Sequence, residues 1–122
     1  MMPLVRDKNS LLRACGWWTI DSQKLRKSVA DYWVFMLLGF SKWTQDFVVI
    51  PPDELRKRLI SIHGSKERFQ TYFWVTTNKQ CFEARDLLKE DRLEVARGRC
   101  KDARRDFSRW LNNWTSVERL NG

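Results

Sequence analysis

Two apolar runs that end at a double proline constrain the fold more than any other part of the sequence. Residues Tyr32 to Leu38 are apolar throughout and rich in aromatic and β-branched side chains, which predicts a strand buried on both faces. Asp46 to Ile50 has the same character and stops at Pro51-Pro52, where two missing N–H groups end the hydrogen bonding of a strand. Gly39 to Gln45, between the runs, has the length of a hairpin loop. We therefore predict a central antiparallel pair of strands.

The clearest helix start follows the double proline. Asp53 is predicted to cap a helix, because its carboxylate can accept a hydrogen bond from a free backbone N–H of the first turn. Apolar residues then recur at i, i+4 and i+7 and predict one buried stripe, formed by Leu55, Leu59 and Ile62. Gly64 predicts the end of this helix.

Other helical patterns lie near both ends of the chain. From Ala103 to Val117, large apolar residues at i, i+3, i+4 and i+7 predict an amphipathic helix that covers one sheet face. These residues are Phe107, Trp110, Leu111 and Trp114. Gln23 to Val29 suits one or two helical turns, and Asp86 to Gly98 predicts a short helix or a structured loop.

Further strand patterns complete an α+β interpretation. Phe69 to Thr77 is dominated by aromatic and β-branched residues, Cys81 to Ala84 suits a short return strand, and Gly16 to Ile20 is a short extended piece. We predict one domain over residues 1–122, in which helices pack on a mostly antiparallel sheet of about three to four strands. Met1 to Ala14 shows no clear period and is predicted to be a frayed terminus.

The charge of the chain is its strongest bulk property. The net charge of +8 favours polyanionic partners, of which nucleic acid is the commonest. The alternative is an inert basic surface, because 23 Lys and Arg residues are interleaved with 15 acidic residues. No apolar run is long enough to span a membrane, and Met1 to Asn9 lacks the apolar core of a signal peptide. We therefore expect a cytosolic protein with no membrane partner.

Few residues of the sequence suit catalysis or metal binding. The three cysteines form no close pair, and His63 is the only histidine, so neither a disulfide framework nor a zinc site is expected. His63 precedes Gly64 at the predicted helix end, where a histidine interacts favourably with the helix dipole. No acid-x-Lys triplet of the kind used by one large group of magnesium-dependent nucleases occurs. We predict no cofactor and no catalytic residue, with magnesium relevant only to a nuclease activity.

Basic residues next to predicted elements are the candidate phosphate contacts. They fall into two groups, Lys24, Arg26 and Lys27 in the first and Arg56, Lys57 and Arg58 in the second. Trp43, in the hairpin loop beside Lys42, is a candidate partner for base stacking. The alternative for each basic residue is a solvated surface charge, and the alternative for Trp43 is packing in the core or at its rim.

The order of motifs resembles the distal part of a bacterial branch of PD-(D/E)xK nuclease-like proteins. In that branch a strand of the form Tyr-x-Val-Phe leads to a second strand that ends in Pro, a helix follows, and an Asn-x-Trp helix closes the domain. The matching segments here are Trp17 to Ile20, Asp31 to Phe35, Asp46 to Leu55 and Trp110 to Trp114. The resemblance implies a fold that is restriction-endonuclease-like in part.

The catalytic part of such nucleases precedes the Trp segment, where this chain has only Met1 to Gly16. The resemblance therefore carries over no catalytic residue. It does imply that a nuclease-derived scaffold with a basic surface binds DNA, which we predict over RNA, through phosphate contacts and without cutting it. A sheet without its proximal strands would expose an edge, which predicts a homodimer formed through that edge. Three functions are open at this point: a nucleic-acid-binding protein that does not cut, a protein-interaction or structural module with a basic face, and a metal-dependent endonuclease with an unusual acid set.

Overall fold

A computed structural model describes residues 11–40, 44–115 and 117–118. Within these ranges the strands are β1 (Leu12–Asp21), β2 (Trp33–Gly39), β3 (Gln45–Ile50), β4 (Arg68–Thr76) and β5 (Cys81–Glu83). The α-helices are α1 (Ser22–Lys27), α2 (Pro52–His63) and α3 (Lys89–Ala96). Single 3₁₀ turns form at Ala103–Arg105 and Ser108–Trp110.

The strands form one antiparallel sheet in the order β3-β2-β1-β4-β5. The α+β class and the antiparallel pairing of β2 with β3 are confirmed, but the predicted central position of this pair was wrong, because β3 is an outer strand and β1 lies in the middle of the sheet. The prediction of three to four strands was too low, because the described sheet has five. The extended piece predicted for Gly16 to Ile20 is the middle of the longer β1, which pairs with β4 along its whole length. Of the predicted frayed terminus, Leu12 to Ala14 belong to β1, and residues 1–10 lie outside the described ranges.

The two faces of the sheet differ in what covers them. The inner face carries the main core, where Phe35 and Leu37 of β2 pack with Leu25 of α1 and Leu55 of α2. On the opposite face, α3 packs against β4 and contributes to a smaller core around Trp74. We call this second face the open face.

Burial of β2 on both faces was a wrong prediction. Val34, Met36 and Leu38 point to the open face and are about half exposed, whereas Phe35 and Leu37 between them are buried. An antiparallel sheet commonly packs on one side only, so a continuous apolar run does not by itself establish burial on both sides.

The segment 103–112 joins the two outer strands of the sheet. Asp106 forms a bridge to Phe82 in β5, and Leu111 forms a bridge to Val48 in β3. The backbone N–H of Asn112 also donates to the carbonyl of Phe47 across 2.6 Å. Both outer strands are thus partly paired within the described chain. The structure therefore offers little free edge for the predicted homodimer, which stays a prediction.

The amphipathic helix predicted for Ala103 to Val117 was wrong. Two 3₁₀ turns place Phe107 and Trp110 in the main core, so the apolar spacing is satisfied without a continuous helix. The backbone N–H of Phe107 donates to the carbonyl of Cys81 in β5 instead of to a helical carbonyl. Pairing with the sheet takes the place of the helical hydrogen bonds.

Helix α2 follows the predicted stripe and differs at its first residues. Leu55 and Leu59 are fully buried, and Gly64, at a φ of 80°, ends the helix as expected. The cap position is Pro51 and has no side-chain hydrogen bond, so Asp53 lies in the first turn and does not cap. None of the described helices has both the length and the apolar character needed to cross a membrane.

Candidate functional site

Two adjoining cavities form where α2 ends and β4 begins. The larger, of about 560 Å³, lies among α1, α2 and the start of β4. The smaller, of about 230 Å³, extends toward the segment after β5. The walls of both include Lys66, Arg68 and Phe69. We call the combined site the basic groove. Its cationic residues are Arg56, Lys66, Arg68 and Arg85, and it also contains His63.

Backbone geometry brings the walls of the groove together. The left-handed backbone at Gly64 turns the chain out of α2, a conformation that glycine adopts without the steric cost of a Cβ. The backbone N–H of Ser22 then donates to the carbonyl of Glu67 across 2.8 Å, which ties the start of α1 to the start of β4. Helix α1 also packs against α2. The groove therefore lies between anchored elements.

Several cations of the groove form no close ion pair in the part of the chain that the structure describes. In the described ranges, Lys66 and Arg68 have no carboxylate within ion-pair distance, and the buried Nε of Arg56 has no hydrogen-bond partner. Arg85 contacts Asp86, with 3.3 Å between Nε and Oδ1. A buried donor without a partner costs free energy, so an acceptor that entered the groove beside Arg56 would be stabilised.

Acidic residues also line the groove, and one of them is already used structurally. Asp21 accepts hydrogen bonds from the backbone N–H groups of Lys24 and Gln23, which caps α1. These bonds, that of Lys24 above all, lower the pKa of Asp21, with a further contribution from the charges of Lys24 and Arg68. Glu67 and Asp86 are exposed to solvent. The carboxylates reduce the positive potential of the groove but leave its unpaired cations in place.

His63 lies beneath the smaller cavity rather than at a free helix end. Its side chain is only 6% exposed, with Nε2 3.3 Å from Oε1 of Glu83 and Nδ1 3.9 Å from Oδ2 of Asp86. Nε2 is buried without a hydrogen bond to any described residue. The prediction that His63 simply interacts with the helix dipole therefore missed its packing against Glu83.

Glu83, which packs against His63, is held in place by several hydrogen bonds. Its carboxylate is fully buried and accepts hydrogen bonds from the hydroxyl of Thr71 and from the backbone N–H groups of Tyr72 and Arg85. The guanidinium of Arg105 donates to the same carboxylate across 2.8 Å. Glu83 is consequently a structural anchor, and a ligand in the groove would meet the cations above it.

The predicted phosphate contacts are divided between two regions. Lys24, Arg26 and Lys27 are exposed on α1, next to the groove, and Arg56 lines its larger cavity. Lys57 instead lines a separate shallow cavity of about 360 Å³, together with Arg104. The structure therefore brings α1 and Arg56 together and places Lys57 elsewhere.

Arg58 is held by contacts within the chain. Its guanidinium donates to the carbonyls of Arg104 and Asp106, across 3.2 and 2.8 Å, and lies over the Trp110 ring at 4.6 Å from the ring centroid. Such a guanidinium links α2 to the segment 103–112 and has few donors left for a phosphate. Trp43, the predicted stacking residue, lies outside the described residues.

Sequence reasoning missed three cations of the groove, Lys66, Arg68 and Arg85. Lys66 and Arg68 follow the helix-ending Gly64 closely, so the end of α2 was a usable signal for the first two. Arg85 follows β5 and reaches the groove only through the fold. No local pattern joins it to the other two.

The described residues contain no group of three or more His, Cys, Asp or Glu side chains placed to hold a metal ion. The cations that line the groove offer electrostatic attraction and hydrogen-bond donation to an anion. No protein-family model matches the chain, and neither the curated proteins nor the solved structures include a match.

Proposed function

We propose that this chain is a cytoplasmic nucleic-acid-binding protein that contacts the phosphates of DNA through the basic groove and does not cut it. The observation that carries the proposal is the convergence of Arg56, Lys66 and Arg68 on one groove, without ion-pair partners among the described residues. A phosphate offers several acceptor oxygens and a negative charge, which match guanidinium and ammonium donors. The order of sequence motifs supports a relation to PD-(D/E)xK nuclease-like proteins, and that relation is part of the proposal.

The position of α1 supports the same proposal. This short helix has Lys24, Arg26 and Lys27 exposed and has no acid in its first turn. It packs on α2 next to the larger cavity, so its cations extend the positive surface beyond the groove. Phosphates recur along a nucleic-acid strand, and a surface of this kind can contact several of them at once.

The test is fluorescence anisotropy of a labelled DNA duplex titrated with the protein over a series of salt concentrations. We expect affinity to fall steeply as salt rises, because phosphate contacts release counterions. The double variant Lys66→Ala/Arg68→Ala should bind more weakly and should reduce the magnitude of the salt slope by roughly 1 for each phosphate contact removed.

Lys79→Asn is the matched control. Lys79 lies in the turn after β4, at the opposite end of that strand from Arg68, and its φ of 65° suits asparagine. This control should leave both affinity and salt slope near those of the unmodified protein. No binding at low salt, or equal losses in the control and the double variant, would overturn the proposal.

A second arm of the experiment separates binding from cleavage. Plasmid DNA incubated with the protein and magnesium should stay supercoiled on a gel. Nicking that requires magnesium and survives repeated purification would replace the proposal with the endonuclease alternative. Binding to an acidic protein together with no binding to DNA would favour the protein-interaction alternative.

A further inference from the structure

The open face of the sheet carries an exposed aromatic pair. Trp17 in β1 is directly opposite Tyr72 in β4, with 5.9 Å between the ring centroids and 38° between the ring planes. Trp17 is 59% exposed, although tryptophan carries a large apolar surface, whereas Tyr72 is partly buried beside it. Tyr72 also contacts Trp74 edge to face, which limits its movement. The pair therefore exposes the indole ring of Trp17 to solvent, next to a tyrosine ring that is held by its own packing.

Cations lie on two sides of this pair. Arg68 occupies the same face of β4, four residues before Tyr72, or about 13 Å along the strand. On the other side, α3 packs against β4, and the charge of its Arg92 opposes the rise that burial causes in the pKa of Tyr72. The Nε of Arg92 is buried without a partner among the described residues. Between Arg68 and Tyr72, the exposed Gln70 is opposite the exposed Thr19. The path from the basic groove to Trp17 is therefore polar.

We infer that the open face binds single-stranded DNA, with a base stacked on Trp17 and the adjoining phosphates near Arg68 and Arg92. The inference rests on the proposed function, because Arg68 also lines the basic groove. An unpaired base has an accessible ring face that can stack on an indole, whereas bases inside a duplex are already stacked on each other. The groove would supply phosphate contacts to either form of DNA, and Trp17 would favour the single strand.

A second copy of this chain is the main competing occupant of the open face. Val34, Met36 and Leu38 of β2 would suit such a contact, since all three are exposed and apolar. The surroundings of Trp17 differ, because cations flank the aromatic pair and the next open-face positions toward the basic groove, Thr19 and Gln70, are polar. A second copy docked around Trp17 would bring its own arginines close to Arg68 and Arg92, and like charges repel each other, whereas the phosphates of a single strand would neutralise them.

The experiment compares a labelled oligothymidine with a duplex of matched length, by anisotropy at one salt concentration. The unmodified protein should bind the single strand more tightly than the duplex. Trp17→Ala should weaken single-strand binding by about 5- to 150-fold, which corresponds to the loss of one stacked base. It should leave duplex binding nearly unchanged, and Trp17→Phe should restore most of the single-strand affinity.

Leu88→Ala is the control, since Leu88 is an even more exposed apolar residue on the segment between β5 and α3. It should change neither affinity, and thermal unfolding should show that all variants are folded. Unchanged single-strand binding in Trp17→Ala, with duplex binding intact, overturns this inference and leaves the proposed function standing. No binding of either DNA overturns both. A dimer by sedimentation that Trp17→Ala dissociates would also overturn the inference, in favour of a second copy.

Discussion

The guanidinium of Arg105 donates to the carboxylate of Glu83 across 2.8 Å, and both side chains are buried. The same nitrogen of Arg105 also donates to the carbonyls of Glu83 and Arg85. This pair fixes the segment 103–112 to β5, and Glu83 also contacts His63 in the wall of the basic groove. The support of the groove therefore depends on a charge pair with little access to water.

Glu83→Ala should lower the free energy of unfolding by about 3–5 kcal/mol, because it removes the close carboxylate partner of the buried Arg105 charge and leaves only the longer contact with Asp102, at 3.7 Å. Urea unfolding followed by circular dichroism measures the change. Glu94→Ala is the matched control, since Glu94 pairs with Arg97 and Arg99 at the surface, and it should cost less than about 1 kcal/mol. Equal losses in the two variants would contradict a special role for the buried pair.

Replacing Asn112 by glycine and by alanine should lower the free energy of unfolding by different amounts. Its side chain donates to the buried Asp46 and accepts from the backbone N–H of Phe47, and its φ is 53°. Both substitutions remove these hydrogen bonds and should cost about 1–3 kcal/mol. Asn112→Ala should cost about 1 kcal/mol more than Asn112→Gly, because alanine is strained at this φ. Urea unfolding of the two variants tests the order, and equal stabilities would contradict it.

The stability of the protein at acidic pH should depend on Asp102. Hydrogen bonds from Arg104, those of its guanidinium first, hold the pKa of Asp102 below the ordinary value of 3.8. The ionised carboxylate therefore stabilises the fold above pH 3.8, and this contribution is lost as the pH falls through and below that value.

Asp102→Asn should accordingly lower stability by about 1 kcal/mol or less at neutral pH, a small effect because Arg104 is half exposed. The difference from the unmodified protein should shrink as the pH falls below 3.8, as urea unfolding at a series of pH values would show. Asp31→Asn, at an exposed residue, is the control and should be nearly neutral throughout. A difference that widens in acid would have the wrong sign.

The sequence predicted local elements better than it predicted how they meet. The hairpin of β2 and β3 followed from two apolar runs and a proline stop, and the stripe of α2 followed from the spacing of Leu55 and Leu59. The prediction of a helix over Ala103 to Val117 was wrong because the spacing of apolar residues shows which side chains are buried, and does not show whether the backbone between them is helical. Phe107 and Trp110 reach the core from two 3₁₀ turns, since the edges of the sheet bind the backbone there.

The sequence also predicted part of the candidate site. The cations of α1 and Arg56 were both predicted as candidates from their local patterns, and the packing of α1 on α2 brings them together in the fold. Arg85 joins them only because β5 lies next to β4, a neighbour relation that no local pattern encodes. Arg58 shows the converse, because its position on α2 resembles that of a surface cation, yet contacts with the segment 103–112 hold its guanidinium.

Cys81 should be protected from thiol reagents until the protein unfolds. Burial raises its pKa strongly, so little of the reactive thiolate forms, and the side chain has no exposed surface. Burial also raises the pKa of Cys15 and Cys100, which are only partly covered.

The variant Cys15→Ser/Cys100→Ser isolates the buried thiol. Its reaction with a disulfide reagent should be at least about tenfold slower in the native protein than in urea, because attack requires local or global opening. Equal rates in both conditions would show that the strand carrying Cys81 is open in the native state, and would contradict the pairing of β5 with the segment 103–112.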